Sequence, residues 1–291
     1  MTPPSYAKPR PAVTRVRSPR RLASIGARHV LLFGGAAVAF FPVLLVVSTA
    51  FKQRDDYRND PFSLFTSFTL DNFATAWVDG RFGSYVATSL SLSIPATLLV
   101  VVLSTAGGYA FARLPFPGRS LCFYLVVLGL LVPFFAYMIP LYYELRQIGL
   151  LDTIPGLVLV LTSGGCAFGT FFMKSFFSEL PIELEQAARV DGANELQIAL
   201  QIMLPMVRSG IAALAVFTFL GSWNNFLVPL LYAPSGRFQP LTTGLYSFAA
   251  GKSTDVGPLA AGALITILPV LALFVGMQRQ VTEGFAGAVK G

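Results

Sequence analysis

HVLLFGGAAVAFFPVLLVVSTAF, residues 29–51, holds 23 consecutive positions without an acid, a lysine or an arginine. As an α-helix rising 1.5 Å per residue it would be about 34 Å long, enough to cross the roughly 30 Å hydrocarbon core of a bilayer. The run also exceeds the h-region of a secretory signal, so Ser48-Thr49-Ala50 is read as helix and not as a cleavage site. Ahead of it, Met1 to Arg28 carries Lys8, Arg10, Arg15, Arg17, Arg20, Arg21 and Arg28, no acid, and many Pro and Ser, the composition of a disordered basic tail.

Working outward, further apolar blocks run approximately Tyr85 to Ala112, Leu121 to Tyr143, Ile154 to Phe177, Met206 to Tyr232 and Leu259 to Met277. The expectation is an all-α membrane protein with six transmembrane helices. An even number of crossings places both termini on one side, and the basic leader makes that side the cytoplasm of a multi-pass plasma (inner) membrane protein. The loops agree: 14 of the 21 Lys and Arg residues fall in inside segments, whereas the first outer loop, Lys52 to Ser84, holds Asp55, Asp56, Asp60, Asp71 and Asp79. Expected units are a tail over 1–28, a membrane domain over 29–279 with one long inner loop at 178–205, and a cytoplasmic tail over 280–291. Pro42, Pro95, Pro133, Pro140 and Pro269 fall inside spans, where neighbouring helices satisfy the backbone groups they free.

Composition excludes several classes. Hydrophobic residues make up 54% and charged residues 12%, against about 25% charged in soluble domains. The net charge of +7 reflects membrane orientation and not a nucleic-acid partner, because seven basic residues precede position 29 instead of lining a soluble face with aromatics. Cys122 and Cys166 both sit in apolar runs and His29 is the only histidine, so neither a disulfide framework nor a metal site is expected. Gly251-Lys252-Ser253 resembles the end of a phosphate loop, but Tyr246 stands where the earlier glycine is required. The chain is therefore expected to bind no cofactor and to have no ATPase motif or enzymatic constellation of its own. A secondary transporter, the rival class, should carry ionisable residues at mid-membrane, and these spans hold almost none.

The inner loop reads SELPIELEQAARVDGANELQIALQIMLP over 178–205. Pro181 suits a first helical turn, with Glu183 and Glu185 at its positive dipole end. Gly192 suits a C-terminal cap, and Asn194 with Gln197 makes a capping box for a second helix. Two short helices should meet at a bend, with Gln186, Ala187, Ala188, Asp191 and Gly192 forming a docking knob. The alternative from periodicity is an amphipathic helix on the membrane surface.

QAARVDGA, followed eleven residues later by Leu204-Pro205, resembles the EAA loop of ABC-importer permeases, with Ile202 also matching its ending. Gln186 stands where the family has glutamate, and Glu185 precedes it. Tyr85-Val86-Ala87-Thr88-Ser89-Leu90, Gly108-Tyr109-Ala110-Phe111-Ala112-Arg113 and Trp223-Asn224-Asn225-Phe226-Leu227 are similar to the second permease subunit of carbohydrate importers, the maltose and trehalose type. So are Gln278-Arg279, Gly284 and the closing Gly287-Ala288-Val289-Lys290-Gly291. The resemblance implies a type I importer bundle with a cytoplasmic coupling helix, translocating a di- or oligosaccharide. It implies a second permease, two copies of a cytoplasmic ATPase holding ATP and Mg, and an extracytoplasmic sugar-binding protein. A non-sugar solute such as glycerol 3-phosphate is the alternative substrate. Glu185, Gln186, Ala187, Ala188, Asp191, Gly192, Ala193, Leu204 and Pro205 would then meet the ATPase, joined by Gln278, Arg279 and Lys290 from the tail.

Trp223, Asn224 and Asn225 interrupt a span with amides beside an aromatic face, chemistry that suits a sugar pathway. Bonds between helices, worth about 0.6 kcal/mol each, are the alternative. Tyr137, near Pro140 with Tyr142 and Tyr143, would line the same passage or sit at the membrane interface.

Overall fold

Every apolar block folds as helix, and prolines and glycines decide where the helices stop. The computed structural model describes the backbone of residues 19–251 and 255–288, and side chains over 28–251 and 255–277. Helix α1 (Pro19–Phe51) begins inside the segment expected to be a disordered tail and continues through the first apolar block. Two short helices follow, α2 (Arg54–Asn59) and α3 (Asp71–Val78), before the long α4 (Phe82–Arg113).

The third apolar block is not one continuous helix. It gives α5 (Arg119–Leu128) and α6 (Phe134–Gln147), separated by a turn. Gly129 weakens the helix, while Pro133, extended at φ −68° and ψ 139°, cannot donate to a preceding turn and pushes Val132 out of helical geometry. Next come α7 (Ile154–Glu179), α8 (Glu183–Val190) and α9 (Glu195–Met206), the last leading into α10 (Arg208–Trp223) through a 73° bend. The fifth block also stops early: α10 ends at Trp223, and α11 (Leu227–Tyr232) starts anew. The chain closes with α12 (Leu241–Gly251) and α13 (Val256–Ala288).

This is an all-helical membrane protein. Among the described residues four helices are long and apolar enough to cross, α1, α4, α7 and α13, and the bent pair α9–α10 makes up to five. Every side chain of α1 from Arg28 to Leu44 is exposed, Phe33, Val38 and Phe40 included, a surface that only hydrocarbon or another membrane helix solvates well.

The centre is α4 packed along α7, with α10 against both and α13 against α10 and α1. Small residues allow the α4–α7 approach, as expected where lipid removes the hydrophobic drive between helices. A Cβ on Gly108 would lie 2.6 Å from the Met173 Cβ, and one on Gly169 would overlap the Ser104 side chain. Gly108→Leu should therefore destabilise the bundle by about 1–3 kcal/mol, the usual cost of overpacking. A thermal melt of the detergent-solubilised protein checks it, and an unchanged midpoint would contradict this packing.

Candidate functional site

The loop between α7 and α10 forms the expected elbow, and local chemistry builds it. Helix α8 carries Glu183 and Glu185 in its first turn. It ends at Gly192, whose φ of +87° is the left-handed conformation that glycine adopts freely. The Ala193 amide donates to the Ala188 carbonyl at 3.0 Å and the Gly192 amide to the Arg189 carbonyl at 3.1 Å, the bond pair of a Schellman cap. The expected capping box opens α9: the Gln197 amide donates to Asn194 Oδ1, and the Asn194 amide to Gln197 Oε1, both at 2.9 Å.

Within α9, Ile198–Met203 is wound as a π-helix. Pro205 lacks the N–H that an α-helix would use and its ring would crowd a preceding carbonyl, which the wider turn accommodates. The bend falls at Val207, whose φ of −96° and ψ of 15° depart from helical values.

The inner face of the elbow is locked to the bundle. Ala188, Ile198 and Met203 are buried against Met173 and Phe177 of α7, with Tyr109 and Ala112 of α4 packed alongside. Glu185 is only 2% exposed. Its Oε1 lies 3.2 Å from Arg113 Nε at the end of α4, and its Oε2 lies 3.6 Å from Arg189 Nη2. Arg113 Nη2 also donates to the carbonyls of Phe177 and Leu180 at the end of α7, the first of which also accepts from the Leu180 amide. Arg189 continues the chain by pairing with Glu195 through Nε–Oε1 at 3.0 Å and Nη2–Oε2 at 3.3 Å, which holds the Glu195 carboxyl below its ordinary range. Four alternating charges thus join α4, α8 and α9.

This geometry sorts the expected docking residues. Gln186, Ala187, Asp191 and Gly192 are exposed, as is Pro205, while Ala193 and Leu204 are half-buried. Glu185 and Ala188 face inward, so in this chain they are occupied by its own helices. Sequence reading missed two residues. Val190, 88% exposed, is an apolar side chain on the open face, four positions after Gln186. Arg113 closes a sequence motif, but its partner Glu185 lies far along the chain, beyond the reach of local pattern.

The expected substrate residues differ in exposure and in what they touch. Trp223 is 1% exposed and donates from Nε1 to the Thr266 carbonyl at 3.2 Å, stacked on Phe219 in a core with Phe82 and Leu241. Asn225 Oδ1 accepts from the Val228 amide at 2.9 Å, fixing the start of α11. Asn224 is exposed, and half-buried Tyr137 meets Phe134 edge-on at 5.4 Å. Gln278 and Arg279 lie on α13, but their side chains, like all of Lys290, fall outside the described residues. Among the described residues no group of three or more His, Cys, Asp or Glu side chains is placed to hold a metal ion.

Residues 102–282, a stretch that contains the whole elbow, match the family described as binding-protein-dependent transport system inner membrane component. The chain belongs to this family. It is the membrane-spanning permease of an ABC transporter and not its ATPase, an inner-membrane, multi-pass component of a binding-protein-dependent transport system. The permease is 37% identical over 266 residues to the diacetylchitobiose uptake system permease protein of Streptomyces coelicolor, covering 91% of this chain and 87% of that one. It is 33% identical to the arabinooligosaccharides transport system permease protein of Halalkalibacterium halodurans, covering 90% and 96%. Its fold superposes with a TM-score of 0.79 at 22% identity on a chain of a bacterial ABC transporter involved in the import of the acidic polysaccharide alginate, covering 95% and 99%.

The permease should depend unequally on neighbouring residues of α8. Glu185→Ala leaves a buried guanidinium uncompensated and should cost about 3–5 kcal/mol. Gln186→Ala, on the open face, should stay within about 0.5 kcal/mol of the parent. Thermal melts of the two variants check this, and equal effects would contradict the inward placement of Glu185.

Proposed function

We propose that the permease moves a di- or oligosaccharide inward as half of a heterodimer with a second permease, driven by two copies of a cytoplasmic ATPase that hold ATP and Mg. In this reading both termini are cytoplasmic. The chain crosses six times, with α5 and α6 as a broken third crossing and α10 with α11 as the fifth. The saccharide assignment is supported by the relatives whose names specify diacetylchitobiose and arabinooligosaccharides.

One observation carries the coupling role. The elbow shows Gln186, Ala187 and Val190 outward while its other face is fixed to α4 and α7 by packing and by the Arg113–Glu185 pair. A partner gripping the outer face therefore moves the ends of two long helices with it. Glutamine in place of the family's glutamate leaves a neutral amide for that grip, still a donor and an acceptor. The partner must bind the elbow differently in its two states, since equal affinity would shift no equilibrium.

Gly192→Val separates insertion from coupling. A Cβ at Gly192 meets nothing within 4 Å, so the substitution acts through the backbone, where φ of +87° strains a β-branched residue. In vesicles containing all subunits, insertion and assembly should persist while labelled oligosaccharide uptake per ATP hydrolysed falls at least severalfold. Parental coupling in this variant would refute the elbow as the transmitting element. A cross-link from Val190→Cys to the ATPase, in a background lacking Cys122 and Cys166, should form; its absence would refute the docking face.

A further inference from the structure

The loop after α1 does not rise away from the helix but folds back along its last turn. The Phe65 amide donates to Ser48 Oγ at 2.8 Å, the Thr69 amide to the Phe51 carbonyl at 2.7 Å, and the Gln53 amide to Ser67 Oγ at 3.0 Å. The Phe68 ring stacks on Phe51 at 5.0 Å. Buried Lys52 turns the corner, its ammonium donating to the Asp60 carbonyl at 3.1 Å and to Ser63 Oγ at 2.9 Å. Phe65 is held at φ +52°, unusual for a bulky residue, so its placement is imposed by these bonds.

The fold-back fixes the depth of the loop. A hydrocarbon core of about 30 Å that begins beside Arg28 ends about twenty residues along α1, at Ser48, the residue that holds Phe65. Ser48 also heads the stripe of α1 that continues through Leu44 and Phe41, one and two turns deeper and both exposed. At that level the loop displays Phe62, Phe65 and Phe68, which are 73%, 56% and 71% exposed. The nearby Asp60 carboxylate accepts from the Phe62 and Ser63 amides, both at 3.2 Å.

We propose that Phe62, Phe65 and Phe68 form an aromatic anchor seated at the headgroup–acyl boundary of the bilayer, continuous with the lipid-facing stripe of α1 and fixing how deeply that helix sits. Aromatic rings are favoured at this boundary. The occupant is lipid. The outer leaflet is implied by the cytoplasmic placement of the termini; the anchor itself does not depend on the coupling reading.

Site-directed spin labelling of the complete transporter in phosphatidylcholine–phosphatidylglycerol vesicles tests it, with Cys122 and Cys166 replaced by serine. Nitroxides at Phe65→Cys and, separately, at Phe62→Cys are compared with one at Asp55→Cys on α2. Each aromatic-site label should show a severalfold higher ratio of oxygen to nickel-chelate collision than the Asp55 label, with or without binding protein. Ratios equal to the reference would overturn the anchor. So would protection that arises only when the binding protein is added, which would assign the patch to protein contact. ATP is not used, so failure here leaves the coupling reading standing. Impermeant ascorbate reports separately which side of the membrane the loop occupies.

Discussion

Arg113 is the point at which three chain segments close on one charge. Its guanidinium ends α4, donates to two carbonyls at the end of α7 and pairs with Glu185 of α8, with side chains only 9% and 3% exposed. Removing two charges from water costs several kcal/mol per ion before their attraction is counted, so such a pair is weak evidence of added stability. What it supplies is geometry. One guanidinium nitrogen, Nη2, donates to both carbonyls while Nε lies 3.2 Å from the carboxylate as an ion pair, so a single side chain ties three segments together.

Rigidity and compliance then occupy different places. The Schellman cap at Gly192 and the capping box at Asn194 make the turn between α8 and α9 self-satisfied in hydrogen bonds, and the packing of Ala188, Ile198 and Met203 ties it to α7. The π-wound segment before Pro205 and the 73° bend at Val207 stand where α9 passes into α10. Wide turns and non-helical dihedrals are where a helix gives way at least cost. In the proposed coupling, a displacement applied to the elbow would pass to α4 and α7 and bend the chain at Val207.

What could be read from the sequence was local. The cap at Gly192 and the box formed by Asn194 and Gln197 depend on residues within five positions of one another, and both form as expected. Proline was harder. Pro42, Pro95, Pro140 and Pro269 stay inside helices, whereas Pro133 ends a turn, because Gly129 has already weakened the preceding helix. Glu185 looked like a docking acid because the arginine that buries it belongs to another helix. Trp223 beside two asparagines had the composition of a sugar platform, but which face of α10 turns toward α13 is settled by tertiary packing, and that face is the core.

The central claim is that the elbow and the end of α4 move as one body when the motor works. Paired spin labels at Val190 and at Ser120, the latter on α5 where Phe123 packs against Phe111 at the end of α4, both on exposed positions, report it by pulsed dipolar spectroscopy in the complete transporter, with and without ATP. The account predicts one narrow distance distribution that keeps its centre when ATP is added, while distances from Val190 to the second permease change. A Val190–Ser120 distance that shifts or broadens with ATP would contradict it.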